Sequence, residues 1–503
     1  MAKTAKGAGW VIAWRFATRA LGLISTLTLV RLLAPADFGL VALGTAFAQA
    51  VDGLSVLGVE DVVIREKAPT RDFYNTAFTI NVLRGLATAL VVAGAAYPAA
   101  MFFKEPRLSP ILLALAIAAL VDAFENIGIV DFRRDFAFDK EFRLQILPRL
   151  AGIVLTILFA IIWANYWALI VGIMTTRFLR IVLGYTMHPF RPWFTLRAWR
   201  QMIGFSVWTW FISIAGLMLD RSPSIVVGRL LNSTQLGIFT VANEIASLPL
   251  NEFIAPVCRA CFSGFAAGRH AGVSIAESYL RVIATTCVFA VPAGFGISLL
   301  ADPIVHLAFG ARWLTAIPQV QILAIGNTAM LLGYITSTLL SAHALLSTVF
   351  RITLLSVVVR VSLLVVMTLH FGFMGAALGF ALSMVVEQLI YLVAICRRFR
   401  LHPLDLLRAT WRCLLATAVM TGVLVVAGMG WAPVMGGAGV VAARLIVTCG
   451  VGAAIYGSVL LILWMIAGRP KGAEADILQM VRRIAAQRFG GARSEVATIT
   501  SSK

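Results

Sequence analysis

Two arginines four residues apart inside an apolar run are the groups of this chain best suited to chemistry. Arg15 and Arg19 lie in the stretch 10–33, and Thr18, Gly22, Ser25 and Thr26 recur on the same helical face. A charged side chain at the centre of a membrane helix costs roughly 2.5–3.5 kcal/mol on insertion scales, so such a stripe turns away from lipid. Facing a hydrated cavity, paired guanidiniums hold an anion by bidentate, charge-assisted hydrogen bonds. Arg15, five residues into the run, also reads as snorkelling to the interface; Arg19, a turn deeper, fits that reading less well. Arg84 and Arg360 sit deep in two further apolar runs and are candidates for the same path.

Other polar residues on helical spacing mark further faces that avoid lipid. One run carries Thr45, Gln49, Asp52 and Ser55; another carries Ser206, Thr209, Ser213, Gly216, Asp220 and Ser224. A third carries Asn243, Ser247 and Asn251, with Glu244 beside them. Thr26, Gln49, Asp52, Ser213, Asp220, Asn243, Ser247 and Asn251 are therefore the expected polar lining. Asp122 and Glu125 share a face near one helix end, and Arg177 with Arg180 reads first as an interface anchor. Pro249 and Pro292 are expected to kink their helices.

The elements that position these residues are membrane helices. The chain has 503 residues, 60% hydrophobic and 13% charged, against about 45–50% and 25% in soluble domains. Mean hydropathy is +0.91. The net charge of +19 does not point to nucleic acid here, because cytoplasmic loops of membrane proteins are rich in Lys and Arg. The first apolar run, interrupted by Arg15 and Arg19, reads as a retained helix and not a cleavable leader. Among the six cysteines, Cys258-x-x-Cys261 has redox spacing but lacks a second pair or a His set, and reads as small residues at a helix end. No Gly-rich phosphate loop and no metal-ligand spacing occur, so no cofactor or metal is expected.

A span needs about 20 mostly apolar residues. Fourteen are expected, near 10–33, 38–60, 76–100, 110–130, 145–164, 166–187, 202–220, 234–257, 279–300, 317–342, 350–369, 373–396, 410–430 and 438–467. Two long apolar stretches are split at Asn165 and at His370-Phe371-Gly372. The Lys and Arg of alternate loops, with a basic tail, put both termini inside. In that tail Ile477, Val481 and Ile484 suit an amphipathic helix on the inner leaflet or docking on the protein's own loops.

The chain repeats itself. Arg31-Leu32-Leu33 followed by Gly39 returns as Arg229-Leu230-Leu231 followed by Gly237, an offset of 198. Trp167 to Gly172 resembles Met374 to Gly379 at an offset of 207. Both repeats begin on the same side, so they are parallel and related by an axis along the membrane normal. The expected organisation is an all-α polytopic membrane protein with two pseudo-symmetric six-helix bundles, residues 1–200 and 201–400. An added helix pair, 401–468, and a basic cytoplasmic tail, 469–503, complete it.

The stretch 31–40, Arg-Leu-Leu-Ala-Pro-Ala-Asp-Phe-Gly-Leu, resembles the first-loop signature of the Wzx-type oligosaccharide flippases. These belong to the multidrug/oligosaccharidyl-lipid/polysaccharide exporter superfamily. Ala246-Ser247-Leu248-Pro249-Leu250, Val291-Pro292-Ala293-Gly294, and Phe309-Gly310-Ala311-Arg312-Trp313 with Pro318 agree in order and spacing. One departure is Asn232-Ser233-Thr234-Gln235, where the second repeat lacks the acidic or proline turn of the first. The resemblance implies two six-helix bundles in a V shape. It also implies a cargo, an undecaprenyl-diphosphate-linked oligosaccharide turned from the inner to the outer leaflet of a bacterial inner membrane. Arg15, Arg19, Arg84 and Arg360 would then face the diphosphate, and the Gln, Asn, Ser and Thr residues the sugar hydroxyls. Asp52, Asp220 and Glu244 would bind a coupling cation or balance the arginines. Membrane lipids, a polysaccharide polymerase and glycosyltransferases are the partners implied.

A cation-coupled multidrug exporter of the same superfamily is the alternative, but its cavity should favour acids and aromatics over arginine. A membrane polymerase or ligase needs a catalytic outer loop. The longest outer connection, about 301–316, holds Asp302, His306 and Arg312 without a nucleophile–base arrangement.

Overall fold

A bilayer interior offers no hydrogen-bond partners, so an apolar run must pair its own backbone groups and becomes a helix. The computed structural model describes residues 2–54, 59–66, 69–135, 137–202, 207–254, 257–258, 261–262, 265, 274–399, 401–434, 436–469 and 474; every regular element among them is helical. The tail positions Ile477, Val481 and Ile484 lie outside the described residues.

The helices in order are α1 Ala2–Leu32, α2 Pro35–Leu54, α3 Val59–Arg65, α4 Arg71–Phe102, α5 Leu108–Ala123 and α6 Asp131–Arg134. Then come α7 Phe138–Trp163, α8 Trp167–Met187, α9 Trp199–Met202, α10 Val207–Leu230 and α11 Ser233–Ala246. The rest are α12 Ile275–Leu299, α13 Ala301–Ala308, α14 Ile317–Ala329, α15 Leu331–Ala342, α16 Leu346–Phe399, α17 Pro403–Val426 and α18 Ala438–Ile466. Among the described residues nine helices are long and apolar enough to cross a membrane, and one bent pair makes ten. The expected fourteen exceeds this partly because α16 joins two crossings and α11 ends after 14 residues. At 54 residues α16 would measure about 81 Å if straight, against a hydrocarbon core of about 30 Å.

Both expected splits are present. Gly372, at φ 56° and ψ −135°, breaks α16 in a conformation that side-chain-bearing residues avoid. The two arms fold back on each other: a Cβ on Gly375 would lie 1.9 Å from the Met367 carbonyl oxygen, and one on Gly379 2.6 Å from that of Leu363. Ala164, at φ 49°, ends α7, and Asn165 Oδ1 accepts from Trp167 N at 3.0 Å to start α8. Gly172 sits against Gly152 and Thr156 of α7. Gly172 and Gly379, paired by the offset of 207, thus do the same work, letting one arm of a helical hairpin approach the other.

Three expected spans are interrupted. The one near 110–130 bends by 69° between α5 and the segment Ile127–Arg134, because Asn126 Oδ1 takes Gly128 N at 2.9 Å and opens a 3₁₀ turn. The one near 234–257 stops at Ala246 and continues as a π-helical segment, Leu250–Ile254, after Pro249. The one near 317–342 is broken at Met330. By contrast α12 runs through Pro292 unbroken.

The chain forms two compact units. The first comprises Met1–Ala242, Ala308–Gln319 and Phe350–Ser383. In it α4 pairs with α5, α7 with α8, α1 lies on α7, and α2 lies on α10. The second comprises Asn243–Leu307, Val320–Val349 and Met384–Lys503. Its centre is α12 against α17, with α18 on α17. Tyr279 and Thr336 share a buried hydrogen bond at 2.6 Å. Arg412 holds Glu474 through two nitrogens at 2.7 and 3.0 Å, with Trp411 beside the guanidinium.

Candidate functional site

Part of the polar stripe of α1 lines a cavity of about 540 Å³ within the first unit. Thr18 and Ser25 come from α1, Gln145 and Arg149 from α7, and Arg177 and Arg180 from α8. Gly22 lies on the same stripe; a Cβ there would be 2.9 Å from Arg149 Nη2, so its bareness gives the guanidinium room against α1. Arg19 is half-buried with Nε and Nη2 enclosed. The side chain of Arg15 lies outside the described residues. Arg149 has no role in the sequence reading.

Beside this cavity runs a series of ion pairs within the first unit. Arg84 Nη1 stands 3.6 Å from Asp52 Oδ1, Arg177 Nη1 2.5 Å from Asp122 Oδ2, and Arg180 Nε 2.6 Å from Glu125 Oε1. Asp122 lies within electrostatic reach of Arg177, Arg180, Asp52 and Arg84 together. Two candidates, Arg84 and Asp52, are thus brought together. Two residues first read as interface anchors, Arg177 and Arg180, hold carboxylates.

The remaining candidates fall elsewhere. Arg360 is 2% exposed; its Nη1 donates to the Leu219 carbonyl at 3.2 Å and its guanidinium lies over Phe380. Asp220 is exposed, within electrostatic reach of Arg360 and Arg221. Ser213 and Gln49 are exposed, and Thr26 is half-buried. Asn243, Glu244, Ser247 and Asn251 belong to the second unit. There Asn243 Oδ1 accepts from Asn327 Nδ2 at 3.1 Å, Ser247 Oγ donates to the Glu244 carbonyl at 3.0 Å, and Asn251 Nδ2 donates to Ser247 Oγ at 3.2 Å. Among the described residues no group of three His, Cys, Asp or Glu could hold a metal, and neither Cys258 nor Cys261 is in a disulfide.

The repeated motif turns out to be a closure. A Cβ on Gly39 would lie 1.7 Å from the Ser233 carbonyl oxygen, and one on Gly237 1.8 Å from that of Pro35. Pro35 and Ser233 are related by the same offset of 198, so the contact is reciprocal, as at a two-fold dimer interface. Each turn has its own cap: Asp37 Oδ2 accepts from Ala34 N at 3.2 Å, and Asn232 Oδ1 from Gln235 N at 2.9 Å. The second turn thus moves the capping side chain from the third helical position, Asp37, to the residue before the helix, Asn232. Arg31 Nε donates to the Ala308 carbonyl, and Arg229 lies over Phe102. Buried Trp313 donates to the Val30 carbonyl at 2.9 Å and meets Phe38 edge-on. Glu105 accepts two bonds from Arg107, at 2.9 and 3.1 Å. With a further bond from Ser233, they hold its carboxyl below the usual range against the opposing effect of burial.

A polysaccharide biosynthesis protein family matches residues 28–318. Among curated proteins, the lipopolysaccharide biosynthesis protein WzxC of Escherichia coli (strain K12) is 23% identical over 392 residues, 77% of this chain and 80% of that protein. The succinoglycan biosynthesis transport protein ExoT of Rhizobium meliloti (strain 1021) is 23% identical over 324 residues, 64% of this chain and 66% of that one. Among solved structures, the lipid II flippase MurJ in its inward closed conformation aligns with a TM-score of 0.73 at 14% identity, covering 91% of this chain and all of that one. An inward-facing multidrug resistance transporter of the MATE family aligns with a TM-score of 0.58 at 16% identity, over 76% of this chain and 94% of that one. These likenesses establish the fold. The family match spans more than half of the chain, from the end of α1 to the start of α14, and takes in the reciprocal Gly39–Gly237 contact and the Trp313 anchor: this chain belongs to the polysaccharide biosynthesis protein family.

Proposed function

We propose that this protein is a flippase of the bacterial inner membrane. It turns an undecaprenyl-diphosphate-linked oligosaccharide repeat unit from the inner to the outer leaflet, for exopolysaccharide, capsule or O-antigen synthesis. The observation that carries the reading is membership of the polysaccharide biosynthesis family. The charge pattern inside the first unit fits it, because an anionic diphosphate head group needs guanidiniums at membrane depth while the lipid tail stays in the bilayer. A multidrug exporter is less favoured, since the first span carries Arg15 and Arg19 where a cavity for cationic cargo would favour acids and aromatics. The protein is a transporter and not a catalyst. Residues 1–200 and 201–400 act as the two moving bundles, 401–468 as an added pair, and both termini face the cytoplasm, where the loops are basic. A polymerase and glycosyltransferases are the partners that supply and consume its cargo.

Arg15, Arg19 and Arg84 are assigned to the diphosphate path. The test is complementation of a strain that fails to export a lipid-linked glycan, with surface polysaccharide quantified at matched expression. The intact chain restores export, and Arg19→Ala reduces it at least about tenfold. Full activity of Arg19→Ala removes that residue from the path. Failure of the intact, correctly inserted chain across several glycan-deficient strains overturns the flippase reading.

A further inference from the structure

The cavity among α1, α7 and α8 is lined by arginines from two of these helices. Arg149, Arg177 and Arg180 line it, and no carboxylate does among the described residues. Asp122 and Glu125 lie outside the lining and reach two of the arginines from there. The Asp122 contact engages Nη1 of Arg177, and the Glu125 contact engages Nε of Arg180. A guanidinium carries five N–H donors in a planar fork, so each of the two can hold its carboxylate and still present a donor pair to the cavity. Thr18, Ser25 and Gln145 add neutral polar groups to the wall. The volume, about 540 Å³, lies in the range of pockets that take one small ligand and is too small for a sugar chain with its head group.

The outer faces of the same helices are apolar. Leu147, Leu150 and Val154 on α7 and Phe178 on α8 are exposed, next in sequence to the arginines or a turn away. Acyl or prenyl chains suit those faces while a head group suits the cavity. We propose that this cavity is a binding site for the phosphate group of a membrane lipid, held by Arg149, Arg177 and Arg180. A diphosphate on a polyprenyl carrier and the phosphate of a bilayer phospholipid present the same chemistry. The first identity rests on the flippase reading; the site itself does not.

Native mass spectrometry of the full chain in detergent tests this, with undecaprenyl diphosphate, phosphatidylglycerol and inorganic pyrophosphate as separate probes. The variants are Arg149→Gln, Arg149→Lys and the pair Arg180→Gln with Glu125→Gln. The pair removes an ion pair as a unit and leaves no orphan carboxylate in the membrane. Size exclusion and thermal melting identify which variants fold. The wild type is expected to bind lipid phosphate, Arg149→Gln and the paired variant to bind about tenfold or more weakly, and Arg149→Lys to retain an intermediate affinity. Arginine-dependent loss confined to undecaprenyl diphosphate names the carrier lipid, and equal loss for phosphatidylglycerol names bilayer lipid. The same loss for pyrophosphate shows that the head group suffices. Folded variants that bind every probe as the wild type does, or a wild type that binds none, overturn the site. Should Arg149→Gln not fold, the paired variant and Arg149→Lys decide. A wild type that never restores glycan export while its binding stays arginine-dependent sinks the flippase reading and leaves this site standing. Restored export with arginine-independent binding does the reverse.

Discussion

Arg412 and Glu474 are nearly enclosed, and their two-point contact ties residue 474, in the tail, to the first half of α17. Removing one partner of such a pair strands a charge without solvent and costs about 3–5 kcal/mol, whereas replacing both by apolar groups is nearly neutral. Arg412→Ala is therefore expected to lower the melting temperature sharply. The double change Arg412→Leu with Glu474→Leu should recover most of the loss, and thermal unfolding in detergent checks both. Equal melting of Arg412→Ala and the wild type would show that the contact carries no stability. At this scale the sequence was a partial guide. Asp52 and Arg84 were legible because each interrupts an apolar run, and they are neighbours. Arg360 was equally conspicuous, yet it is bonded to backbone and stacked on Phe380, a pairing between positions 20 residues apart on one hairpin that no spacing rule reveals. Arg149 was hidden by a boundary. The expected span began near 145 and gave it no role, but α7 begins at Phe138 and places it about 16 Å along the helix.

Between elements, the polar joints decide where a helix stops. Asn126 and His188 form one such joint at the ends of α5 and α8. Asn126 Nδ2 donates to the Phe190 carbonyl at 2.9 Å, and Phe190 N donates to His188 Nδ1 at 3.2 Å. With Nδ1 accepting, the imidazole is neutral, and its Nε2 stands 3.5 Å from Asp131. Burial lowers the pKa of His188 from its ordinary 6.5, against the opposing pull of Asp131. A histidine lowered on folding binds fewer protons folded than unfolded. Its stabilisation is complete above about pH 6.5 and is lost as pH falls through the lower folded value. Melting temperature should decline from about pH 7 to about pH 5, and His188→Gln should flatten that slope. An unchanged slope in the variant would assign the pH dependence to other groups. The joints at Asn165 and Gly372 were readable because a small or amide residue interrupts a long apolar stretch. The bend after α5 was not, since Asn126 follows Asp122 and Glu125 near the expected end of the span and was not read as a cap. Its Oδ1 caps the 3₁₀ turn locally, while its Nδ2 finds the Phe190 carbonyl only once residues 188–190 return to it.

Across the whole molecule, a pattern written twice becomes one contact. Gly39 and Gly237 touch through backbone, and the carbonyls they meet belong to Ser233 and Pro35, which are themselves counterparts in the two copies. The internal repeat was visible in the sequence as a count of residues. That its two copies meet each other was not, because no residue in either motif announces a partner 198 positions away. Either Gly39→Ala or Gly237→Ala drives a methyl into main chain that has no rotamer to yield, so each is expected to reduce glycan export at least about tenfold at matched expression. Near-normal export from both variants would mean that this contact is dispensable. An ordinary core clash can be relieved by trimming the neighbour. Here the offending atoms for Gly39→Ala are main-chain atoms of Ser233 and Gly237, which every residue possesses. A selection for suppressors of Gly39→Ala should therefore return nothing at position 237. Its survivors should map instead to residues that let α2 or α11 shift as a body, so the genetics of this site would be written in helix positions and not in side-chain sizes.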